Sequence, residues 1–195
     1  MKKKGELIIV SAPAGTGKTT LVHMLKGEYP EEVVQSISCT TRKPRPDEID
    51  GKDYVFLTDK AFEERIKRGE FLEYATVFGY QYGTSKELVE AQRVDGRHVV
   101  LVIDTQGAME LKKKIKALYI FIAPPSMKIL EERLKNRKTE SPETLKKRLK
   151  WAQYEMEQAK YYDYTIVNDD LETAYEALKS IIVAKNYEGG NHGTR

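Results

Sequence analysis

An aliphatic run, a loop of small residues and a helical pattern follow one another near the start of the chain. Leu7 to Val10 are four consecutive aliphatic residues, as in a strand covered on both faces of a parallel sheet. The next segment, Ala12 to Thr19, has the spacing of a Walker A loop, except that Ala12 occupies the place of the first glycine. The substitution is conservative because alanine is small, but a positive φ angle at this position would carry some strain.

This loop has the chemistry of a phosphate cradle. Small residues let backbone N–H groups face inward, and the following helix adds the positive end of its dipole. Lys18 is predicted to reach the β- and γ-phosphates, and the Thr19 hydroxyl to take a Mg²⁺ coordination position. A glycine-rich turn with a solvated lysine is the alternative. The residues predicted to bind ATP in this loop are Ala12, Pro13, Ala14, Gly15, Thr16, Gly17, Lys18, Thr19 and Thr20.

Three further apolar runs resemble buried strands, with helical patterns between and after them. They are Val99 to Ile103, Leu118 to Ile122 and Thr165 to Val167. Strands that alternate with helices predict an α/β fold with a central parallel sheet and helices on both faces. Asp104 follows the first of these runs, at the sheet edge where ligands bind, and is predicted to hold Mg²⁺ through water. A strand-ending turn residue is the alternative for Asp104.

Two segments interrupt this alternation. Residues 36–84 are rich in Thr, Arg, Pro, Gly and Tyr, and predict an inserted lobe of short strands with one helix near Ala61 to Arg68. A second irregular patch ends in a helix start, with Ser141 as N-cap and Pro142 at the first helical position. The tail, residues 188–195, has no apolar residue to anchor it and is predicted to be disordered.

Bulk composition narrows the function classes. The chain has 195 residues, which predicts a single domain. Its net charge of +3 gives no support to a nucleic-acid partner. The single cysteine, Cys39, allows no intrachain disulfide and favours a cytoplasmic location. No apolar stretch approaches the length of a membrane span, so no membrane contact is expected. Composition does not indicate the oligomeric state.

Several motifs, in chain order, resemble those of the guanylate kinase family. The matching segments are Ser11–Thr20, Thr40–Arg45, Asp50–Tyr54, Gly69–Glu73, Tyr82–Thr84, Ile103–Gly107, Ile122–Ser126, Arg133–Arg148 and Val167–Leu171. The resemblance covers residues 5 to 185 and implies a P-loop nucleoside monophosphate kinase fold. Such an enzyme transfers the γ-phosphoryl group of ATP to GMP in purine nucleotide metabolism, with Mg²⁺. The resemblance further implies an ATP-binding core (5–35, 88–126, 149–187), a GMP-binding lobe (36–87) and a short helical lid (127–148).

An acceptor such as GMP calls for arginines rather than a general base. A phosphate monoester is largely dianionic at neutral pH, so the difficulty lies in bringing two polyanions together. Arg42 and Arg45 are three residues apart around Pro44, and the resemblance implies that they hold the GMP phosphate. It gives the hydroxyls of Tyr54 and Tyr82 the same role. A solvated basic loop beside two core tyrosines is the alternative.

A second group of arginines falls in the predicted lid. Arg133 and Arg137 are four residues apart and share a helix face, and Arg148 follows on the next helix. The resemblance implies that they contact the ATP phosphates, that Arg137 also flanks the adenine, and that Asn168 lies near the adenine or ribose. A solvated charged face is the alternative. The residues predicted to be catalytic are Lys18, Arg42, Arg133, Arg137 and Arg148.

The resemblance implies that Glu73 reads the base, whereas a surface carboxylate is the alternative from the sequence alone. Guanine presents donors at N1 and at its exocyclic amine, whereas adenine presents an acceptor at N1, so a carboxylate favours guanine. Val102 stands where the family usually has an acid, which predicts weaker GMP binding. The resemblance gives the following residues to the GMP site: Ser38, Arg42, Arg45, Tyr54, Glu73, Tyr82, Thr84 and Asp104.

Two other functions fit parts of the pattern. A protein-interaction module with this fold, as in membrane-associated scaffold proteins, would lack an intact phosphate loop, whereas Lys18 and Thr19 are present here. A P-loop kinase for another acceptor, such as AMP or thymidylate, is less compatible with Glu73 and the Arg42/Arg45 pair. The sequence therefore predicts small-molecule substrates, ATP and GMP.

Overall fold

A computed structural model describes residues 3–136 and 142–187 of the chain. The strands are β1 Leu7–Ser11, β2 Val33–Gln35, β3 Ser38–Thr40, β4 Tyr54–Phe56, β5 Phe71–Val77, β6 Tyr80–Ser85, β7 His98–Val102, β8 Leu118–Ala123 and β9 Tyr164–Val167. The helices are α1 Lys18–Glu28, α2 Asp59–Lys67, α3 Lys86–Val94, α4 Thr105–Lys112, α5 Met127–Asn136, α6 Pro142–Gln158 and α7 Leu171–Tyr187. None of the helices in the described residues is long and apolar enough to cross a bilayer.

The main sheet has the strand order β2-β7-β1-β8-β9, and β2 pairs with β7, and β8 with β9, in parallel. Every residue of β1 and β8 is buried, as their unbroken aliphatic runs require. The predicted α/β fold with a central parallel sheet and surrounding helices is confirmed. Each of the four predicted apolar runs forms a strand, with ends that differ by at most one residue.

Strand β2 has no counterpart among the predicted strands. It is three residues long, and Val33 is the one residue of the three that is buried. Its position depends on pairing with β7, where Val33 lies opposite His98 and Gln35 opposite Val100. Its two valines are followed by Gln35 and do not form a continuous run like those that marked the other strands of this sheet.

The four strands within residues 36–85 form a second sheet, with the order β4-β3-β6-β5. β3 runs parallel to β4 and antiparallel to β6, and β6 is antiparallel to β5. Helix α2 covers this sheet through Phe62, whose ring stacks on Phe71 at a centroid distance of 4.5 Å. Cys39 joins the same buried cluster. The short strands and the single helix predicted for this segment are confirmed.

The chain divides by its internal contacts into two units. The first runs to Ile9 and resumes from Pro30 to Leu118, and the second contains Val10–Tyr29 and the residues from Tyr119 onward. These boundaries differ from the predicted division into core, GMP-binding lobe and lid, which stays a prediction. Helix α6 begins at Pro142, as predicted. The proposed N-cap Ser141 and the tail, 188–195, lie outside the described residues.

Candidate functional site

The predicted phosphate loop surrounds a cavity of about 140 Å³ that is open to solvent and lined by residues 13–20. Gly15 and Gly17 have φ angles of 91° and 90°, a left-handed region that glycine enters without steric cost. The Thr16 hydroxyl donates to the Pro13 carbonyl at 2.9 Å and closes the turn. Helix α1 then starts from Gly17 without a side-chain cap. The uncapped first turn of the helix therefore begins at an anion-sized cavity.

Ala12 does not adopt the positive φ angle that would strain an alanine. Among the described residues, Phe78 is the only non-glycine with a positive φ. Ala12 is buried directly after β1, and its carbonyl accepts from Lys18 Nζ at 3.4 Å. The left-handed turns of the loop fall at Gly15 and Gly17 instead, so the first position of the loop does not require glycine.

Asn168 supports the loop from the end of β9. Its side chain is buried, and its Nδ2 donates to the Thr16 carbonyl at 2.6 Å. A Cβ atom at Gly17 would lie 2.4 Å from the same Nδ2. The amide therefore packs against the two loop residues that precede α1. The predicted contact of Asn168 with adenine or ribose stays a prediction, and its support of the loop was not predicted from the sequence.

We expect Asn168→Ala to weaken ATP binding. The change removes a buried donor and leaves the Thr16 carbonyl unsatisfied, which costs about 1–3 kcal/mol and corresponds to a rise in KM for ATP of roughly tenfold to hundredfold. KM for the acceptor should change little. Asn136→Ala, at an exposed position in α5, is the matched control. An unchanged KM for ATP in Asn168→Ala would show that the loop holds its shape without the amide.

Helices α5 and α6 pack together beside the loop. Leu130 and Leu134 of α5 are buried with Ala152 of α6, and Ala14 contacts the same cluster. A Cβ atom at Gly15 would lie 3.0 Å from Leu134 and 3.3 Å from Leu130. The first half of the predicted lid is thus anchored to the loop by apolar contacts.

The arginines predicted for the lid are only partly described. Arg133 lies on α5, and its Nη2 donates to the Asp169 carbonyl at 3.4 Å. Arg148 is half-buried on α6. Arg137 lies outside the described residues. Their contacts with ATP stay predictions.

In the other unit, three residues predicted to read the base form one row across the second sheet. Ser38 of β3 lies opposite Thr84 of β6, and Thr84 lies opposite Glu73 of β5. Directly opposed residues project from the same face of a sheet. The Thr84 hydroxyl donates to Glu73 Oε1 at 2.6 Å. The strand register therefore explains why Ser38 and Thr84, 46 positions apart in the chain, lie opposite each other.

The carboxyl group of Glu73 is buried and close to a second acid. Burial raises its pKa to about 7, the hydrogen bond from Thr84 opposes this rise, and the charge of Asp104 adds to it. Asp104 is the N-cap of α4, where its Oδ1 accepts from the Gly107 amide at 2.9 Å. The structure thus supports the turn alternative for Asp104, and its predicted part in binding Mg²⁺ or GMP stays a prediction.

Arg42 is held in place by an acid that was not singled out from the sequence. Its Nη2 donates to Glu48 Oε1 at 2.7 Å, and its guanidinium carbon lies 5.3 Å from the centre of the Tyr54 ring. The Tyr54 and Tyr82 rings are 6.2 Å apart. The hydrogen bond from Arg42 lowers the pKa of Glu48. Arg42, Tyr54 and Tyr82 therefore lie close together, and their binding of the GMP phosphate stays a prediction.

Arg45 is more exposed than Arg42. Its guanidinium lies 3.6 Å from Glu48 Oε1, and its backbone N–H donates to Glu48 Oε2 at 2.7 Å. Glu48 thus contacts both predicted phosphate-binding arginines. The one available sequence signal was its position three residues after Arg45.

Comparisons with known proteins agree with these observations. The profile of the guanylate kinase family matches residues 4–185. A curated guanylate kinase from Protochlamydia amoebophila is 57% identical over 94% of this chain and 92% of its own length. One from Chlamydia muridarum is 46% identical over 93% of this chain and 89% of its own. The crystal structure of guanylate kinase from Anaplasma phagocytophilum superposes with a TM-score of 0.76 at 34% identity, covering 94% of this chain and 87% of that one. The chain belongs to the guanylate kinase family.

Proposed function

We propose that the protein transfers the γ-phosphoryl group of ATP to GMP, giving ADP and GDP. The observation that carries this proposal is the buried Glu73 carboxyl, fixed by Thr84 in a row with Ser38. In its ionised form it accepts hydrogen bonds from the N1 and exocyclic amine donors of guanine. Against adenine it would face an acceptor lone pair, which leaves a buried charge unpaired. The relatives of this chain are named as guanylate kinases.

The arginine cluster suits the acceptor phosphate. Arg42 keeps its guanidinium beside the Tyr54 ring, where a fork of N–H donors binds a phosphate bidentately. Its bonds to Glu48 and to the Lys43 carbonyl hold the side chain before the ligand arrives. A held side chain loses less conformational freedom on binding. Arg45 and the hydroxyls of Tyr54 and Tyr82 complete the proposed phosphate contacts.

The donor nucleotide is assigned to the loop cavity. The amides of the loop and the start of α1 bind the phosphates, and Lys18 neutralises charge on them. Mg²⁺ suits the Thr19 hydroxyl, an oxygen donor that lines the cavity, and when bound it screens the phosphate charge. The described residues contain no group of three or more His, Cys, Asp or Glu that could hold a metal by themselves. This agrees with an ion held largely by the nucleotide and water.

The proposed transfer needs no protein base, because the acceptor oxygen is already ionised. The residues act by position and charge. We assign Lys18, Arg42, Arg133, Arg137 and Arg148 to charge stabilisation, and Asp104 to Mg²⁺ through water. The cytoplasm, where ATP and GMP occur, is the proposed location.

The function is tested by measuring ADP release from ATP and Mg²⁺ with GMP, AMP, CMP or UMP as acceptor. We expect kcat/KM for GMP to exceed that for AMP by about 10⁴-fold, the discrimination typical of sites built around buried hydrogen bonds. Omission of Mg²⁺ should abolish the activity. Comparable rates with GMP and AMP would refute the assignment of Glu73 to the base.

The pKa of Glu73 predicts a pH-dependent affinity for GMP. Because burial raises this pKa to about 7, the carboxyl is protonated below neutrality and then presents an O–H donor to the donors of guanine. KM for GMP should therefore rise as the pH falls from 8 to 6, up to about tenfold per pH unit below the pKa. The GMP phosphate also titrates near pH 6, so Glu73→Gln is the control. If KM for GMP depends on pH identically in the unaltered protein and in Glu73→Gln, the prediction is contradicted.

A further inference from the structure

Gly107 lies where the base-reading carboxyl meets the first turn of α4. A Cβ atom built on Gly107 would lie 2.5 Å from Glu73 Oε2 and 3.3 Å from Glu73 Cδ. The same atom would lie 3.2 Å from Asp104 Oδ1. The space that any side chain at position 107 requires is thus already filled by a carboxylate.

The backbone at this position does not itself require glycine. Gly107 is helical and is not among the glycines with a positive φ. In such a place alanine is the better helix former, because glycine loses more conformational freedom on folding. The absence of a side chain at position 107 therefore serves the contact with Glu73 and not the helix.

The backbone on both sides of this contact is held in place, whereas the Glu73 carboxyl is the end of a side chain and can be displaced. Glu73 lies in the β5–β6 ladder, and its other oxygen accepts from Thr84. The Gly107 amide is fixed by its bond to Asp104. An added methyl group would therefore move the carboxyl of Glu73 and leave the backbone where it is.

We propose that Gly107 is a specificity-determining position: the missing side chain leaves the space in which Glu73 lies when it reads the guanine base. The inference rests on the proposed function. Gly107 is a positioning residue, since it acts through Glu73 and supplies no reacting group of its own.

Gly107→Ala tests the inference. We expect KM for GMP to rise about tenfold to hundredfold, the equivalent of one or two impaired hydrogen bonds to a charged group. KM for ATP should stay within twofold, and the ratio of kcat/KM for GMP over AMP should fall. Gly27→Ala is the matched control, because Gly27 is also helical but a Cβ atom built on it would meet no other atom within 4 Å. Gly27→Ala should leave all these constants unchanged.

A double-variant cycle separates the contact from a general disturbance of the helix. In a Glu73→Ala background no carboxylate opposes the methyl group, so adding Gly107→Ala should change KM for GMP less than twofold. If Gly107→Ala does not fold but the double variant does, the result supports the steric contact. If neither variant folds, the result overturns it. An unchanged GMP/AMP ratio in Gly107→Ala also overturns the inference. Absence of GMP phosphorylation in the unaltered protein would instead refute the proposed function.

Discussion

Lys18→Ala is expected to lower kcat for every acceptor nucleotide by about 10²–10³-fold, the usual effect of removing one preorganised charge or donor from a transition state. The ammonium of Lys18 lies beside the phosphate-binding loop, where it donates to the Ala12 carbonyl. Its loss leaves the phosphate charge to the loop amides and the metal. Because Lys18 is assigned to the donor nucleotide and not to the base, the ratio of GMP to AMP activity should stay the same. Steady-state rates with both acceptors measure this.

Lys26→Ala is the control for Lys18→Ala. Lys26 lies in the last turn of the same helix, α1, and its removal changes the net charge by the same amount. Its kcat should match that of the unaltered protein. A loss of activity in Lys18→Ala confined to GMP would contradict the assignment of Lys18 to the donor phosphates.

Glu73→Gln is expected to lower kcat/KM for GMP by about 10²–10³-fold, through both the lost charge and a misplaced donor. The amide nitrogen of glutamine would face one of the guanine donors, so one hydrogen bond is replaced by a repulsive contact. The same amide group presents a donor and an acceptor to adenine, so AMP activity should not fall in parallel. The GMP/AMP ratio of kcat/KM is the measured quantity.

Glu63→Gln makes the same chemical change at an exposed position of α2 and should leave both acceptors unaffected. KM for ATP should be unchanged in Glu73→Gln, since ATP is assigned to the loop. An equal loss with GMP and AMP would mean that Glu73 supports the second sheet and does not read the base.

The phosphate loop and the main strands could be predicted because their signals are local. Leu7 to Val10 are buried on both faces, and the loop that follows has a fixed spacing of small residues. The site residues on the second sheet were predicted only through the motif resemblance. Ser38, Thr84 and Glu73 are brought into one row by strand register. Register between distant segments leaves no trace in local periodicity.

Three contacts of the site residues were not predicted from the sequence. The bond from Asn168 to the Thr16 carbonyl joins residues 152 positions apart. Nothing in the sequence distinguishes Glu48 clearly from the other acidic residues, whereas the structure shows that it contacts both Arg42 and Arg45. The turn role of Asp104 was weighed as an alternative, but the hydrogen bond from Gly107 was needed to establish it. Of these contacts, the one made by Asn168 is set by how distant segments pack, whereas those of Glu48 and Asp104 form within short segments of the chain.

The buried Glu73 carboxyl also couples ligand binding to the solvent. Because burial raises its pKa to about 7, this group exchanges a proton with the solvent near neutral pH. If Glu73 reads the base as proposed, GMP binds the ionised form, and its binding releases that proton into the buffer. The heat of GMP binding will consequently depend on the ionisation enthalpy of the buffer. Calorimetric titrations in phosphate and in Tris should differ, and the Glu73→Gln variant should show a smaller difference.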